Sequence, residues 1–162
     1  MKTFYWEAVL PVAFLGLALA TVAFAADAKK DQAKMDALLV AAQKICPVTG
    51  EELGSMGDPI KTKMKTKLGE QTLFLCCKGC KDKPIEKKNW AVILANLAKA
   101  QGQCPVTDDA LPKNAGSVLV KNRLVFVCCK DCIKKVQADP DKYLARVDAL
   151  LDKNLAKQEK TK

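Results

Sequence analysis

Every cysteine of this chain belongs to one pattern that is written twice. Cys46-Pro-Val-Thr leads, after an intervening stretch, to Phe-Leu-Cys76-Cys77-Lys-Gly-Cys80; Cys104-Pro-Val-Thr leads to Phe-Val-Cys128-Cys129-Lys-Asp-Cys132. The 8 cysteines thus fall four to a copy, and the chain has no histidine. Each copy spans roughly 50 residues, a size that seldom buries enough apolar surface to be stable alone. Units of that size are usually held by disulfides or by a metal. Thiolates are strong ligands for zinc and cuprous copper, so sulfur is expected to shape the fold before it serves any other purpose.

The N-terminus reads as an export signal. Lys2 precedes an almost wholly apolar run from Ala8 to Ala20, and Ala23-Phe24-Ala25 before Ala26 is a small-x-small cleavage site. An uncleaved membrane anchor is the alternative, since the run approaches the length that spans a bilayer. Glu7, Pro11 and the alanine-rich end favour cleavage, and with it a periplasmic or secreted protein with no stable membrane span. The net charge of +9 is scattered over lysines, with only Arg123 and Arg146 as arginines and few aromatics between them. That pattern describes solvated faces and no nucleic-acid partner.

The expected division is a signal peptide over 1–25, an N-terminal helix over 26–45, a first cysteine repeat over 46–100, a second over 104–152, and a lysine-rich tail over 153–162. Met35, Leu38, Leu39 and Ala42 recur at helical spacing, which predicts a helix packing on the first repeat. Ile60 to Lys65 alternates apolar or small with lysine, Gly69-Glu70 fits a hairpin turn, and Thr72 to Leu75 returns to Cys76. A short lysine-rich helical stretch follows Cys80, then a break near Pro84 and a helix facing inward with Trp90, Ile93, Leu94 and Leu97. Ala98 to Gln103 reads as a linker. In the second copy Ser117–Val120 and Leu124–Val127 are strands about Lys121-Asn122. Asp139-Pro140 starts a last helix, whose inward stripe is Tyr143, Val147, Leu150 and Leu151. The fold class is α+β: two small tandem knuckle, hairpin and helix units.

Zinc–sulfur bonds are about 2.3 Å, so ligating sulfurs must converge on one point. A strand ending at Cys76 and turning into a helix brings Cys76, Cys77 and Cys80 toward one side, with Cys46 closing the site across the hairpin. Cys104, Cys128, Cys129 and Cys132 repeat the set. Lys78, Lys81 and Lys83 flank the first cluster, and Lys130, Lys134 and Lys135 the second, where positive charge favours thiolate. Met56 and Met64 could add thioethers to a cuprous site in the first copy.

One N-terminal cysteine, a hairpin ending in Phe-x-Cys and a cysteine four residues on resembles the TRASH and YHS groups of small heavy-metal-binding domains, which are similar to treble-clef zinc ribbons. The resemblance covers about 46–97 and 104–151. It implies Cys46, Cys76 and Cys80, then Cys104, Cys128 and Cys132, as ligands. The chain departs from a full treble clef in having one knuckle cysteine per copy and an added Cys77 or Cys129. The expected function is soft-metal sequestration, delivery or sensing, with zinc or cuprous copper at about one ion per repeat, and no enzymatic activity. Two alternatives stand beside it. One is a disulfide framework, the usual meaning of an even cysteine count in an exported protein. The other is thiol–disulfide exchange at the C-x-x-C pairs Cys77–Cys80 and Cys129–Cys132.

Overall fold

The computed structural model describes residues 20–160, with side chains from Lys29 onward, so most of the expected export signal lies outside the described residues. Four α-helices and two hairpins make up the described chain, an α+β architecture. They are α1 (Ala20–Gln43), β1 (Ile60–Thr66), β2 (Gly69–Leu75), α2 (Lys87–Gln101), β3 (Gly116–Val120), β4 (Arg123–Val127), α3 (Lys130–Ala138) and α4 (Pro140–Glu159). A single 3₁₀ turn covers Lys78–Cys80. Among the described residues no helix is long and apolar enough to cross a membrane.

Each pair of strands is antiparallel, β1 with β2 and β3 with β4. The second hairpin turns at Lys121-Asn122, where both residues have positive φ (47° and 63°), the conformation that suits the twist of the flanking strands. The first turns at Lys67-Leu68, two residues before the expected place. Gly69 pairs with Thr66 as the first residue of β2, and its φ of 121° lies outside the reach of most side chains. Any Cβ there would sit 2.8 Å from Leu119 of the other hairpin. The two hairpins also meet through the Thr72 N–H, which donates to the Asn122 carbonyl at 2.8 Å, and the Asn122 side chain, which donates to the Glu70 carbonyl at 2.7 Å.

Several boundaries move. Among the described residues the N-terminal helix already covers Ala20 and ends at Gln43, because Lys44 adopts φ 68°. Ala98–Gln101 is the last turn of α2 and not a linker; Gly102 (φ 69°) ends that helix as Lys44 ends α1. Between Cys80 and α2 the first copy makes turns and no helix, whereas in the second Cys132 lies within α3. Lys153 and Lys157 lie within α4, whose buried stripe is Leu144, Val147, Leu151 and Leu155; Asp139 caps it by accepting from the Lys142 N–H.

Two apolar clusters fill Met35–Lys162, which form one compact unit. Cys46, Met64, Leu73, Leu75, Cys76 and Cys80 form the first, with Ile85 and Trp90 packed on it. Val118, Val120, Val125, Val127, Val136 and the α4 stripe surround Cys104 and Cys132 in the second. Leu38, Leu39 and Ala42 of α1 pack on the second cluster, not the first as their periodicity was expected to serve.

The end of α1 is nonetheless tied to the first copy by a buried carboxamide. Gln43 accepts from the Phe74 N–H at 2.9 Å and donates to the Phe74 carbonyl at 2.7 Å and the Ile45 carbonyl at 2.9 Å. Gln101 repeats this arrangement on Phe126 and Gln103 with the same three distances. Each glutamine joins a helix end, a cysteine knuckle and the strand that leads to the cysteine pair. Replacing Gln101 with Leu keeps the length but strands two buried backbone groups, at about 1–3 kcal/mol each. Urea unfolding of Gln101→Leu should therefore show a loss of about 2–6 kcal/mol, while the exposed Lys134→Ala stays within about 0.5 kcal/mol. An unchanged Gln101→Leu midpoint would contradict this role.

Candidate metal centre

The knuckles are built alike. The Cys46 N–H donates to the Glu51 carbonyl at 2.8 Å and the Gly50 N–H to the Cys46 carbonyl at 3.0 Å; the matching bonds from Cys104 to Asp109 and from Asp108 to Cys104 are 2.8 and 2.9 Å. The tight turn needs positive φ at Gly50 (79°) and Asp108 (63°). It presents the cysteine sulfur inward, toward the end of the strand that the glutamine holds.

There the sulfurs converge. Cys46, Cys76 and Cys80 bring their Sγ atoms within 4.8 Å of one another, as do Cys104, Cys128 and Cys132. The Cys76–Cys80 and Cys128–Cys132 separations are 3.8 and 3.7 Å. A tetrahedral ion with bonds of about 2.3 Å has its sulfurs about 3.8 Å apart. A disulfide would need about 2.05 Å, and all eight cysteines are free thiols. Both trios can hold a metal ion, and the chemistry of the donor set fits a thiophilic one.

Cys77 and Cys129 stand beside the trios. Each is the residue before the turn or helix that carries the last cysteine, in extended conformation (φ −158° and −151°). The Cys77 sulfur is 3.8 Å from that of Cys80, and the Cys129 sulfur is 3.2 Å from that of Cys132. Neither joins the mutual contact of the other three. The Thr of each Cys-Pro-Val-Thr completes the surroundings, with hydroxyls 3.5 Å (Thr49 to Cys76) and 3.6 Å (Thr107 to Cys128) from sulfur.

The environment sorts the thiols. Burial pushes Cys46 up, but N–H groups of Cys76, Thr49 and Val48 aimed at its sulfur, with the Thr49 hydroxyl, outweigh this and bring its pKa from 9.0 to about 7. Cys104 is brought to about 7 against the same burial by Cys128, Val106 and Thr107. Burial, with the neighbouring thiols, pushes Cys80 up to about 12 and Cys132 well above the usual range. Cys77 is lowered by its contact with Cys80 and the Gly79 N–H, and Cys129 by Cys132 through both side chain and backbone. Each knuckle cysteine is thus the buried sulfur readiest to be an anion, and the last cysteine is held as the neutral thiol until a bound cation displaces its proton to solvent.

The flanking lysines Lys78, Lys81, Lys83, Lys130, Lys134 and Lys135 are all exposed, so they act on the sulfurs only as a screened field. Met64 is buried in the first sulfur cluster, whereas Met56 is 62% exposed and brings no thioether inward. Both sheets are antiparallel pairs, so the C-x-x-C pairs lack the parallel strand arrangement of a thioredoxin-like site among the described residues.

Several supporting residues escaped the cysteine-centred reading. The glutamines precede each knuckle in Gln43-x-x-Cys46-Pro-Val-Thr and Gln101-x-x-Cys104-Pro-Val-Thr. Asn96 donates to the Gln43 carbonyl at 3.2 Å and Asn154 to the Gln101 carbonyl at 2.9 Å, each from an Asn-Leu-Ala-Lys stretch. Recurrence in both copies was the available signal. No family model, curated protein or solved structure matches the chain.

Exposure and thiolate character together set reactivity toward alkylating agents. In the metal-free, reduced protein Cys129 is exposed, Cys77 and Cys128 half-buried, and the other five buried. Peptide mass spectrometry after brief iodoacetamide treatment should find Cys129 labelled first and Cys77 next. Early labelling of Cys46 or Cys80 would contradict the described burial.

Proposed function

We propose that this is an exported, soft-metal-binding protein that carries one thiolate-bound ion per repeat and serves in sequestration or delivery, not catalysis. The observation that carries the reading is the meeting of three sulfurs, twice over, at the spacing of ligands around a single ion. The ions are zinc or cuprous copper, the thiophilic choices for an all-sulfur set. Cys77 and Cys129 are proposed as fourth ligands, each reaching its ion from beside Cys80 or Cys132. The knuckle, hairpin and following helix support a tandem relation to the TRASH, YHS and treble-clef-like domains. Placement outside the cytoplasm, periplasmic or secreted, rests on the signal-like N-terminus.

Ligand thiols must lose their protons to bind, so metal uptake releases protons and weakens as pH falls. Anaerobic purification followed by elemental analysis should find about two ions per chain, with eight titratable thiols after denaturation. Cys46→Ser and Cys104→Ser should each retain about one ion, and metal affinity should fall with pH, more steeply below about 7, where the knuckle thiols of the metal-free protein also take up protons. A protein with no free thiols and no metal uptake after mild reduction would instead be the disulfide framework. Turnover of a disulfide substrate that Cys77→Ser or Cys129→Ser abolishes would make it an oxidoreductase.

A further inference from the structure

The two copies share their knuckles, hairpins and glutamines, and differ in what covers the sulfurs. In the first, the segment after Cys80 lies across the knuckle. The Glu86 N–H donates to the Pro47 carbonyl at 3.0 Å, and the buried Asn89 side chain donates to the Val48 and Pro47 carbonyls at 3.2 and 3.5 Å. Contact is close enough that a Cβ on Gly50 would lie 2.9 Å from Asn89 Oδ1. Ile85, Trp90 and Cys77 itself pack against the sulfur cluster beneath.

The second copy lacks this strap among the described residues. Cys132 already lies within α3, and among the described residues no backbone N–H from the segment after it donates to the Pro105 or Val106 carbonyl. Its knuckle is fastened instead by Arg146, whose guanidinium donates to both Asp108 carboxylate oxygens at 2.8 and 2.6 Å. These side chains are 40% and 62% exposed, and a pair so open to water and salt holds weakly. The sulfurs follow the same division: Cys76 is buried and Cys77 half-buried, whereas Cys128 is half-buried and Cys129 exposed.

Resting on the metal-binding reading, we propose that the two sites have different tasks: the strapped first site retains its ion as a structural element, and the open second site passes its ion to an outside thiol ligand by displacement of Cys129. In that exchange an acceptor thiolate forms a bond to the ion, the bond to Cys129 Sγ breaks, and the freed Cys129 thiolate takes a proton from solvent. The ion keeps its charge, so no oxidant or reductant enters. Asn89 and Gly50 set the contrast by closing the first site, with no counterpart strap over the second.

The test is release from the full chain loaded anaerobically with zinc, followed by stopped-flow absorbance with the chelator 4-(2-pyridylazo)resorcinol. Release should occur in two phases of one zinc each, separated on the order of tenfold or more in rate, since opening the strap breaks packed, hydrogen-bonded structure. Cys104→Ser should remove the fast phase, and Cys46→Ser the slow one. Asn89→Ala should speed the slow phase toward the fast one without changing the latter. Two zincs leaving in one phase, or a fast phase that survives Cys104→Ser and vanishes in Cys46→Ser, would overturn this assignment alone. A chain that takes up no zinc would remove the metal-binding reading and the assignment with it.

Discussion

The buried carboxamides of Gln43 and Gln101 hold each sulfur cluster in place. A knuckle and a strand end are separate pieces of chain, and three thiols can meet only if those pieces are fixed against each other. Each glutamine does this by satisfying both backbone groups of the phenylalanine two residues before the cysteine pair. Because these groups are buried, the arrangement is strongly favoured over any in which they go unpaired. The sulfurs are then delivered to one point by short segments, three residues from the glutamine and two from the phenylalanine.

The duplication is interlocked and not merely repeated. Helix α2 packs Trp90 on the first cluster and ends in Gln101, which anchors the second. Helix α1 ends in Gln43, which anchors the first copy, while Leu38, Leu39 and Ala42 lie on the core of the second. The hairpins meet at Gly69, Thr72 and Asn122. Each copy thereby borrows apolar surface from its neighbour, which suits units too small to fold on their own core.

Much of this was legible in the sequence. The hairpin strands, the Asp139 cap and the inward Ile93 and Val147 follow from period, turn chemistry and capping. The cysteine positions announced two clusters, and the trios form where the strand end and knuckle were expected to meet. What was not legible has physical reasons. A glutamine that binds the backbone of a residue far along the chain leaves no mark on its partner's identity, so Gln101 looked like part of a polar linker. Helical periodicity shows that α1 has an apolar face but not which copy receives it. Gly69 resembled a turn centre because positive φ serves a strand's first residue as well as a hairpin bend. The strap over the first site depends on Asn89, a residue whose burial no pattern foretells.

The proposed function requires each trio of sulfurs to surround a single ion. X-ray absorption at the zinc edge of the fully loaded protein measures this without reference to the fold. A first shell of three to four sulfur atoms at about 2.3 Å is expected. A shell dominated by nitrogen or oxygen at about 2.0–2.2 Å would contradict it.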